Sequence, residues 1–291
     1  MSSRPSPVPS ARQAPLVAVA GAAFLVALKA AGAWVTGSLA LGSAALDSLI
    51  DVFISAANFL VLRRAAAPPD AEHAYGHGKF ESLAALGQGL FLAGAAVGLV
   101  LTGVRRLTSG EVPREGWAGM AVLAVSIAVS WGIARHLRRA AEASGSPALK
   151  ADSLHYATDL WVNGAALAAL AVIQWTGWAP ADPLVALGVA VYVFRSAAAL
   201  LLEATGDLSD RGLPADELRR IREVVGRFQP RVTGLHDLRT RRSGGQRFIE
   251  LHLEIPRETS FEEAHGVMVE VLRAIEAEVP RSKVFVHGDP V

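Results

Sequence analysis

The sequence predicts a membrane α-helical bundle of six transmembrane helices followed by a small α+β domain of order α-β-β-α-β. Three observations predict it. Hydrophobic residues make up 52% of the 291 positions and charged residues only 19%. The charges are unevenly spread: residues 1–207 hold 14 Lys/Arg and 13 Asp/Glu, whereas the 84 residues from 208 to 291 hold 14 and 14. Six apolar stretches, at about 16–36, 39–62, 82–104, 117–135, 154–174 and 183–202, reach the ~20 residues needed to cross ~30 Å of hydrocarbon. Three segments are therefore expected: a disordered tail over 1–13, a six-helix membrane domain over 14–207 and a polar domain over 208–291.

The tail, MSSRPSPVPSARQAP, is Pro/Ser-rich with two arginines, and no small-residue cleavage pattern follows the next apolar run. It reads as a short disordered lead into a retained helix rather than a removed signal peptide. The spans are dominated by Ala, Gly, Val and Leu, a composition that lets membrane helices approach closely. Six crossings place both termini on one side. The loops on that side carry Arg4, Arg12, Arg63, Arg64, Lys79, Arg135, Arg138, Arg139 and Lys150, against Arg105, Arg106 and Arg114 opposite, so the positive-inside rule puts the termini in the cytoplasm. Trp34, Trp117, Trp175 and Trp178 fall at the outer span ends, where an aromatic belt belongs.

In the polar domain, an amphipathic helix over 214–228 opens at Pro214, and strands at 232–241 and 246–255 flank the hairpin signal Ser243-Gly244-Gly245. Ile249, Leu251, Leu253 and Ile255 alternate with Glu250, His252 and Glu254, giving the second strand one apolar and one polar face. A helix at 260–278 and a last strand at 284–287 complete it. A two-layer sandwich this small gains from dimerisation or bound metal.

With no cysteine, disulfides, thiolate nucleophiles, iron–sulfur clusters and Cys-based zinc sites are excluded, so metal chemistry would fall to His, Asp and Glu. A net charge of +1 with no concentrated basic face speaks against nucleic-acid binding.

Ionisable residues inside membrane spans are costly and are functional candidates by default. The second span holds Asp47 and Asp51 and the fifth holds His155 and Asp159, each pair four residues apart and so on one helix face. One such Asp is as readily a structural hydrogen bond to a neighbouring helix. Three carboxylates and an imidazole that converge instead match a tetrahedral N/O site for a divalent ion such as zinc. Lys29 and Arg195 read as snorkelling or charge-neutralising residues.

Between the second and third spans, Asp70, His73 and His77 form D-x-x-H-x-x-x-H, with Gly76 and Gly78 permitting tight turns. Two readings stand: a metal-wrapping loop, or a solvated loop whose histidines lie at the lipid headgroups. The polar domain holds His236, His252, His265 and His287. Singly, each reads as a surface or capping residue. Together with the terminal His-Gly-Asp they can build a binuclear zinc site from imidazoles and a carboxylate.

The sequence resembles the cation diffusion facilitator family, especially its bacterial zinc-exporting, proton-coupled members. The resemblance spans about 14–290 and is carried by Gly-Ser-Leu-Ala with Asp47 and Asp51, His-Gly-Lys-Phe-Glu-Ser-Leu-Ala-Ala-Leu, Asp-Ser-Leu-His-Tyr-Ala-Thr-Asp, and His-Asp-Leu-Arg-Thr-Arg at 236–241. It implies that Asp47, Asp51, His155 and Asp159 form an intramembrane transport site, and that Asp70, His73 and His77 form a loop site. It further implies a metallochaperone-like cytoplasmic domain with a binuclear site of His236, His252, His265, His287 and Asp289 near a dimer interface. Lys79 and Asp210 match charges that interlock the two domains in relatives. Seven of the eight histidines thus fall on metal positions, and His136, at the cytoplasmic end of the fourth span, is left for a headgroup contact.

The expected function is a homodimeric divalent-cation/proton antiporter of the bacterial cytoplasmic membrane that removes zinc, with His155 as the proton-coupled residue and cytoplasmic zinc as a regulatory ligand. Iron(II), cadmium, cobalt and nickel are alternative cargoes of the same site. An intramembrane metalloenzyme would place a catalytic base beside an open metal position, as in H-E-x-x-H, and the chain has no such motif. A metal sensor with a defunct pore is the remaining alternative, and the intact transport set weighs against it.

Overall fold

A computed structural model describes residues 9–37, 39–109, 117–178 and 180–291, apart from the side chains of 9–12, 36, 39, 40, 117 and 118. Residues 1–8 of the expected tail, Ser38 and Arg114, and the side chains of Arg12 and Trp117, lie outside the described residues. The chain divides into two compact units, Met1–Ala204 and Thr205–Val291.

The first unit is built from α1 (Pro9–Thr36), α2 (Leu39–Ala65), α3 (Lys79–Ser109), α4 (Trp117–Ser144), α5 (Pro147–Thr176) and most of α6 (Ala181–Leu208), whose residues 205–208 fall in the second unit. All six are long and apolar enough to cross a membrane. The helices outrun the apolar stretches because polar residues cap and extend them. Helix α1 already runs through residues 9–13, which the sequence reading assigned to the tail. Helix α5 begins seven residues before 154, where Ser146 Oγ accepts the Leu149 N–H at 3.2 Å and Pro147 occupies the first turn. It ends at Gly177, whose φ of +70° lets its N–H reach the Ile173 carbonyl at 2.8 Å.

Small residues bring the helices together. Ala14 and Ala18 of α1, Leu137, Ala140 and Ala141 of α4, and Leu149 and Tyr156 of α5 form one buried cluster. Ala85, Leu92 and Ala96 of α3, Ala151 of α5, and Val193, Ala197 and Leu200 of α6 form another. Helix α5 contributes to both and also packs on α2, so it occupies the middle of the bundle. At Gly89 an added Cβ would lie 2.8 Å from Leu201 Cδ2 of α6, which shows how close α3 and α6 approach. Polar contacts also tie helices laterally. Lys29 Nζ donates to Ser48 Oγ at 2.7 Å, so this lysine is held inside the bundle rather than snorkelling. Arg106 of α3 donates to Asp182, in the first turn of α6, at 2.7 Å.

The second unit contains α7 (Ala215–Gly226), β1 (Gly234–Ser243), β2 (Gln246–Ile255), α8 (Phe261–Glu278) and β3 (Ser282–Pro290). The sheet order is β1-β2-β3, with β1 antiparallel and β3 parallel to β2. Ser243 pairs with Gln246 around a two-residue Gly244-Gly245 turn. Ile249, Leu251, Leu253 and Ile255 are buried against Ile221, Val224 and Val225 of α7 and Val267, Val271 and Ile275 of α8. Both helices therefore cover one sheet face. Helix α8 starts with a reciprocal Ser260/Glu263 capping box. Strand β3 is longer than the expected 284–287: parallel pairing to β2 carries it past Gly288 to Pro290. On the other face, Phe248 is buried beneath Arg241, whose guanidinium carbon lies 4.7 Å from the ring centroid.

Candidate metal centre

Among the described residues, three groups of side chains that could hold a metal ion converge, each with its donor atoms within 4.8 Å of one another. The first lies inside the bundle. Asp51 of α2 and His155 and Asp159 of α5 meet there, with His155 Nε2 3.0 Å from Asp51 Oδ1 and 3.9 Å from Asp159 Oδ2. Phe91 of α3 and Tyr156 of α5 meet the imidazole edge-on at 5.7 and 5.4 Å, fixing its ring plane. His155 is 4% exposed. Asp47, one turn before Asp51, is exposed and is not among the converging side chains.

The second group closes the α2–α3 loop. Asp70 Oδ1 accepts the His73 N–H at 2.7 Å and the Glu72 N–H at 3.1 Å, and Asp70 Oδ2 lies 3.2 Å from His77 Nε2. The His73 backbone N–H holds the Asp70 carboxyl below its ordinary range, aided by its side chain and by the charge of His77. The His73 and His77 rings stand 4.5 Å apart, and Gly76, at φ +87°, makes the turn between them. His77 is 2% exposed, and neither of its ring nitrogens makes a hydrogen bond of good geometry. A buried imidazole with unsatisfied nitrogens beside an ionised carboxylate fits a metal ligand better than a headgroup contact.

The third group is on the open face of the sheet. Cross-strand register sets His236 opposite His252 and His252 opposite His287, so three imidazoles form one row across β1, β2 and β3. Asp289, two residues past His287 and so on the same face, points back at all three: its oxygens lie 3.1 Å from His236 Nε2, 2.8 Å from His252 Nδ1 and 3.3 Å from His287 Nε2. The bond from His252 keeps the Asp289 carboxyl below its ordinary value. The converging set is His236, His252 and Asp289, with His287 beside it. Its imidazole and carboxylate donors suit zinc-type ions. His265 stands apart. It is exposed on α8, stacked on Phe261 at 6.3 Å, and α8 packs on the opposite sheet face from the row.

Asp210 lies 3.4 Å from Arg241 within its own unit. His136 is half-buried on α4, with Nε2 lacking a hydrogen-bond partner among the described residues. The sequence reading passed over a further polar group: Ser55 and Asn58 of α2, Gln88 of α3, and Asp152 and Tyr156 of α5. Here the Ser55 hydroxyl lies 2.8 Å from the Tyr156 hydroxyl, and Gln88 Nε2 donates to Asp152 at 3.5 Å. The signal was available, since Asp152 precedes His155 by three residues, but hydropathy alone began the span at 154.

Comparison with known proteins agrees with this architecture. Residues 16–209 match the model of the cation efflux transmembrane domain, and residues 213–291 match that of the cation efflux protein cytoplasmic domain. The cation-efflux pump FieF of Yersinia pestis is 42% identical over 279 residues, covering 96% of this chain and 92% of that protein. FieF of Escherichia fergusonii is 41% identical over 278 residues with the same coverage. A solved structure of the zinc form of CzrB, described as a zinc transporter, is 39% identical and covers 28% of this chain and 92% of that one, with a TM-score of 0.27. With both family models matched in order and relatives similar over nearly their whole length, this multi-pass membrane chain belongs to the cation diffusion facilitator family.

Proposed function

We propose that the protein is a homodimeric exporter of divalent metal from the bacterial cytoplasm, with zinc as its preferred cargo and protons as the counter-ion. The observation that carries the reading is the convergence of Asp51, His155 and Asp159 within the span-forming helices. An imidazole with carboxylates suits zinc or cadmium better than manganese, for which an all-oxygen shell is the simpler choice. Iron(II), cobalt and nickel are weaker candidates for the same donors. The curated relatives, named cation-efflux pumps, support an exporter over a sensor.

Coupling follows from shared lone pairs. Cargo binding needs His155 neutral and the carboxylates ionised, so metal and protons compete for the same atoms. Protons from outside displace the ion, and the protonated site returns inward as the bundle rocks between two arrangements. Asp47, one turn from Asp51, is positioned to complete the ligand set in the arrangement that holds the ion. His155 carries the coupled proton, because imidazole in general titrates nearest neutrality.

The remaining clusters serve regulation. In the cytoplasmic domain, His236, His252, His287 and Asp289 would hold zinc, with His265 available from a second copy of the domain, and the ion would tie ligands together to tighten the dimer. The loop residues Asp70, His73 and His77 hold metal near the pore entrance. The excess of basic residues on the terminal side supports cytoplasmic termini.

The test is zinc uptake into proteoliposomes under an imposed pH gradient. Flux should follow the gradient, stop in Asp51→Ala, and lose its proton dependence in His155→Ala. Zinc flux indifferent to the gradient would sink the antiport reading.

A further inference from the structure

One turn from the transport site lies a second polar layer that cargo binding at Asp51, His155 and Asp159 does not use. On α2, Ser55 and Asn58 follow Asp51 by four and seven residues, so they continue its face toward the end that carries Arg63 and Arg64. On α5, Asp152 precedes His155 by three residues toward the same end. Gln88 of α3 closes the third side, its Nε2 donating to Asp152 Oδ1 at 3.5 Å. Asn58 and Ser55 face the same carboxylate. The rise of a helix puts this layer ~5 Å from His155.

The layer is buried and incomplete. Asp152 is fully buried, Asn58 is 4% exposed and Gln88 7%. Among the described residues, Asp152 Oδ2, Gln88 Oε1 and Asn58 Nδ2 make no hydrogen bond of good geometry. Unsatisfied polar atoms of this kind are rare in native interiors, and three around one carboxylate point to a missing ligand. The amide of Asn58 can present its oxygen by rotating end for end. The layer then offers carboxylate, amide and hydroxyl oxygens and no nitrogen ligand. Hard cations, and ions still carrying part of their water shell, prefer such donors. A water molecule could also bridge two of these groups, and the titration and flux variants below separate that case from a cation site.

We propose that Asp152, Gln88, Asn58 and Ser55 form a second, all-oxygen binding station for a partly hydrated divalent cation, on the cytoplasmic side of the transport site. The station rests on the exporter reading. It captures the ion and exchanges its water for protein oxygens before the ion passes one turn to the stronger ligands at His155. A stepwise path of two adjacent sites lets each bind well enough to fill and weakly enough to empty.

The absence of cysteine supplies the test. Asp152→Cys replaces a hard oxygen by the protein's sole thiol, and thiolates favour cadmium. In full-length protein in detergent, cadmium should raise a thiolate-to-cadmium charge-transfer band in Asp152→Cys, and adding Gln88→Leu should weaken that titration on the order of tenfold. In proteoliposomes, Asp152→Asn and Gln88→Leu should each raise the half-saturating zinc concentration about tenfold, with the saturated rate kept within about twofold. Asp152→Cys should shift preference from zinc toward cadmium. Unchanged half-saturation in both flux variants, a lost saturated rate at unchanged half-saturation, or a cadmium titration indifferent to Gln88→Leu would overturn the station in favour of a structural or water-filled pocket. Should the parent protein carry no divalent cation, the exporter reading fails instead, and the cadmium titration, which needs no flux, still decides the station.

Discussion

His155 Nε2 sits 3.0 Å from Asp51 Oδ1, a contact between α5 and α2 made across 104 residues of chain. The nitrogen and oxygen that face each other are the lone-pair atoms an incoming cation would use, so binding must replace this contact rather than add to it. The contact holds the two side chains together when no cation lies between them.

Asp51 and His155 should therefore be unequal to Asp47 in their effect. Asp51→Ala is expected to reduce zinc flux to the level of empty vesicles, and His155→Ala to leave only a weak flux indifferent to the pH gradient. Asp47→Ala, which removes a side chain outside the converging group, should raise the half-saturating zinc concentration about tenfold and leave measurable flux. Stopped-flow uptake with a zinc indicator distinguishes the two patterns.

In the cytoplasmic domain, His252 occupies the central strand and faces His236 on one side and His287 on the other. His252→Ala should weaken zinc binding there by about tenfold to a hundredfold. His265→Ala should leave affinity within one chain unchanged, because α8 packs on the opposite sheet face. Calorimetric zinc titration of the full-length protein, with the loop site removed by His73→Ala and His77→Ala and the intramembrane site by Asp51→Ala, isolates the effect.

Acidification should release zinc from this site through its imidazoles. The His252 bond depresses the Asp289 carboxyl, so the stabilisation from that carboxylate is present above its ordinary value of about 3.9 and is lost only as pH falls through the lower, folded-state value. Imidazoles in general titrate near pH 6.5, well above this, and their protonation alone opposes binding in mildly acid solution. Affinity measured between about pH 5 and 7.5 should rise with pH. Asp289→Asn should lower affinity throughout and leave the slope unchanged.

Gly76 turns the loop at φ +87°, and no atom would crowd an added Cβ there except Pro69 Cγ at 3.8 Å. The cost of Gly76→Ala is thus one of backbone conformation, about 1–2 kcal/mol. It should loosen the approach of His73 to His77 and weaken metal binding by the loop. Zinc retained after dialysis of a chain lacking the cytoplasmic-domain ligands provides the measurement.

Gly89 should tolerate little. A side chain there meets Leu201 of α6 at 2.8 Å, so Gly89→Val is expected to destabilise the bundle by about 1–3 kcal/mol. A lowered melting temperature in detergent, with zinc binding by the cytoplasmic domain retained, is the expected result.

The six spans and the strand alternation were legible because hydrophobicity has the period of the element that buries it. The i, i+4 spacing put His155 and Asp159 on one face of α5, while the meeting of that face with Asp51 of α2 was implied only by the family resemblance. That spacing also grouped Asp47 with Asp51, yet Asp47 is exposed and stands outside the converging set. His265 was grouped with the sheet histidines because residue type carries no information about which side of a sheet a helix covers. Asp152 was missed because a hydropathy window penalises the very charges that a cap such as Ser146 allows a helix to carry inward.

Gly288 lies between His287 and Asp289 on β3, and the space its side chain would fill is taken by Met268 of α8, whose sulfur stands 2.8 Å from the place of a Cβ. Ligand positions and core volume therefore share a single strand segment. Evolution cannot alter one side freely: a bulkier residue at 268, or any side chain at 288, would lift the strand and misplace two ligands at once. Positions 268 and 288 should accordingly drift together among relatives, as a linked pair whose variation records the geometry of the histidine row.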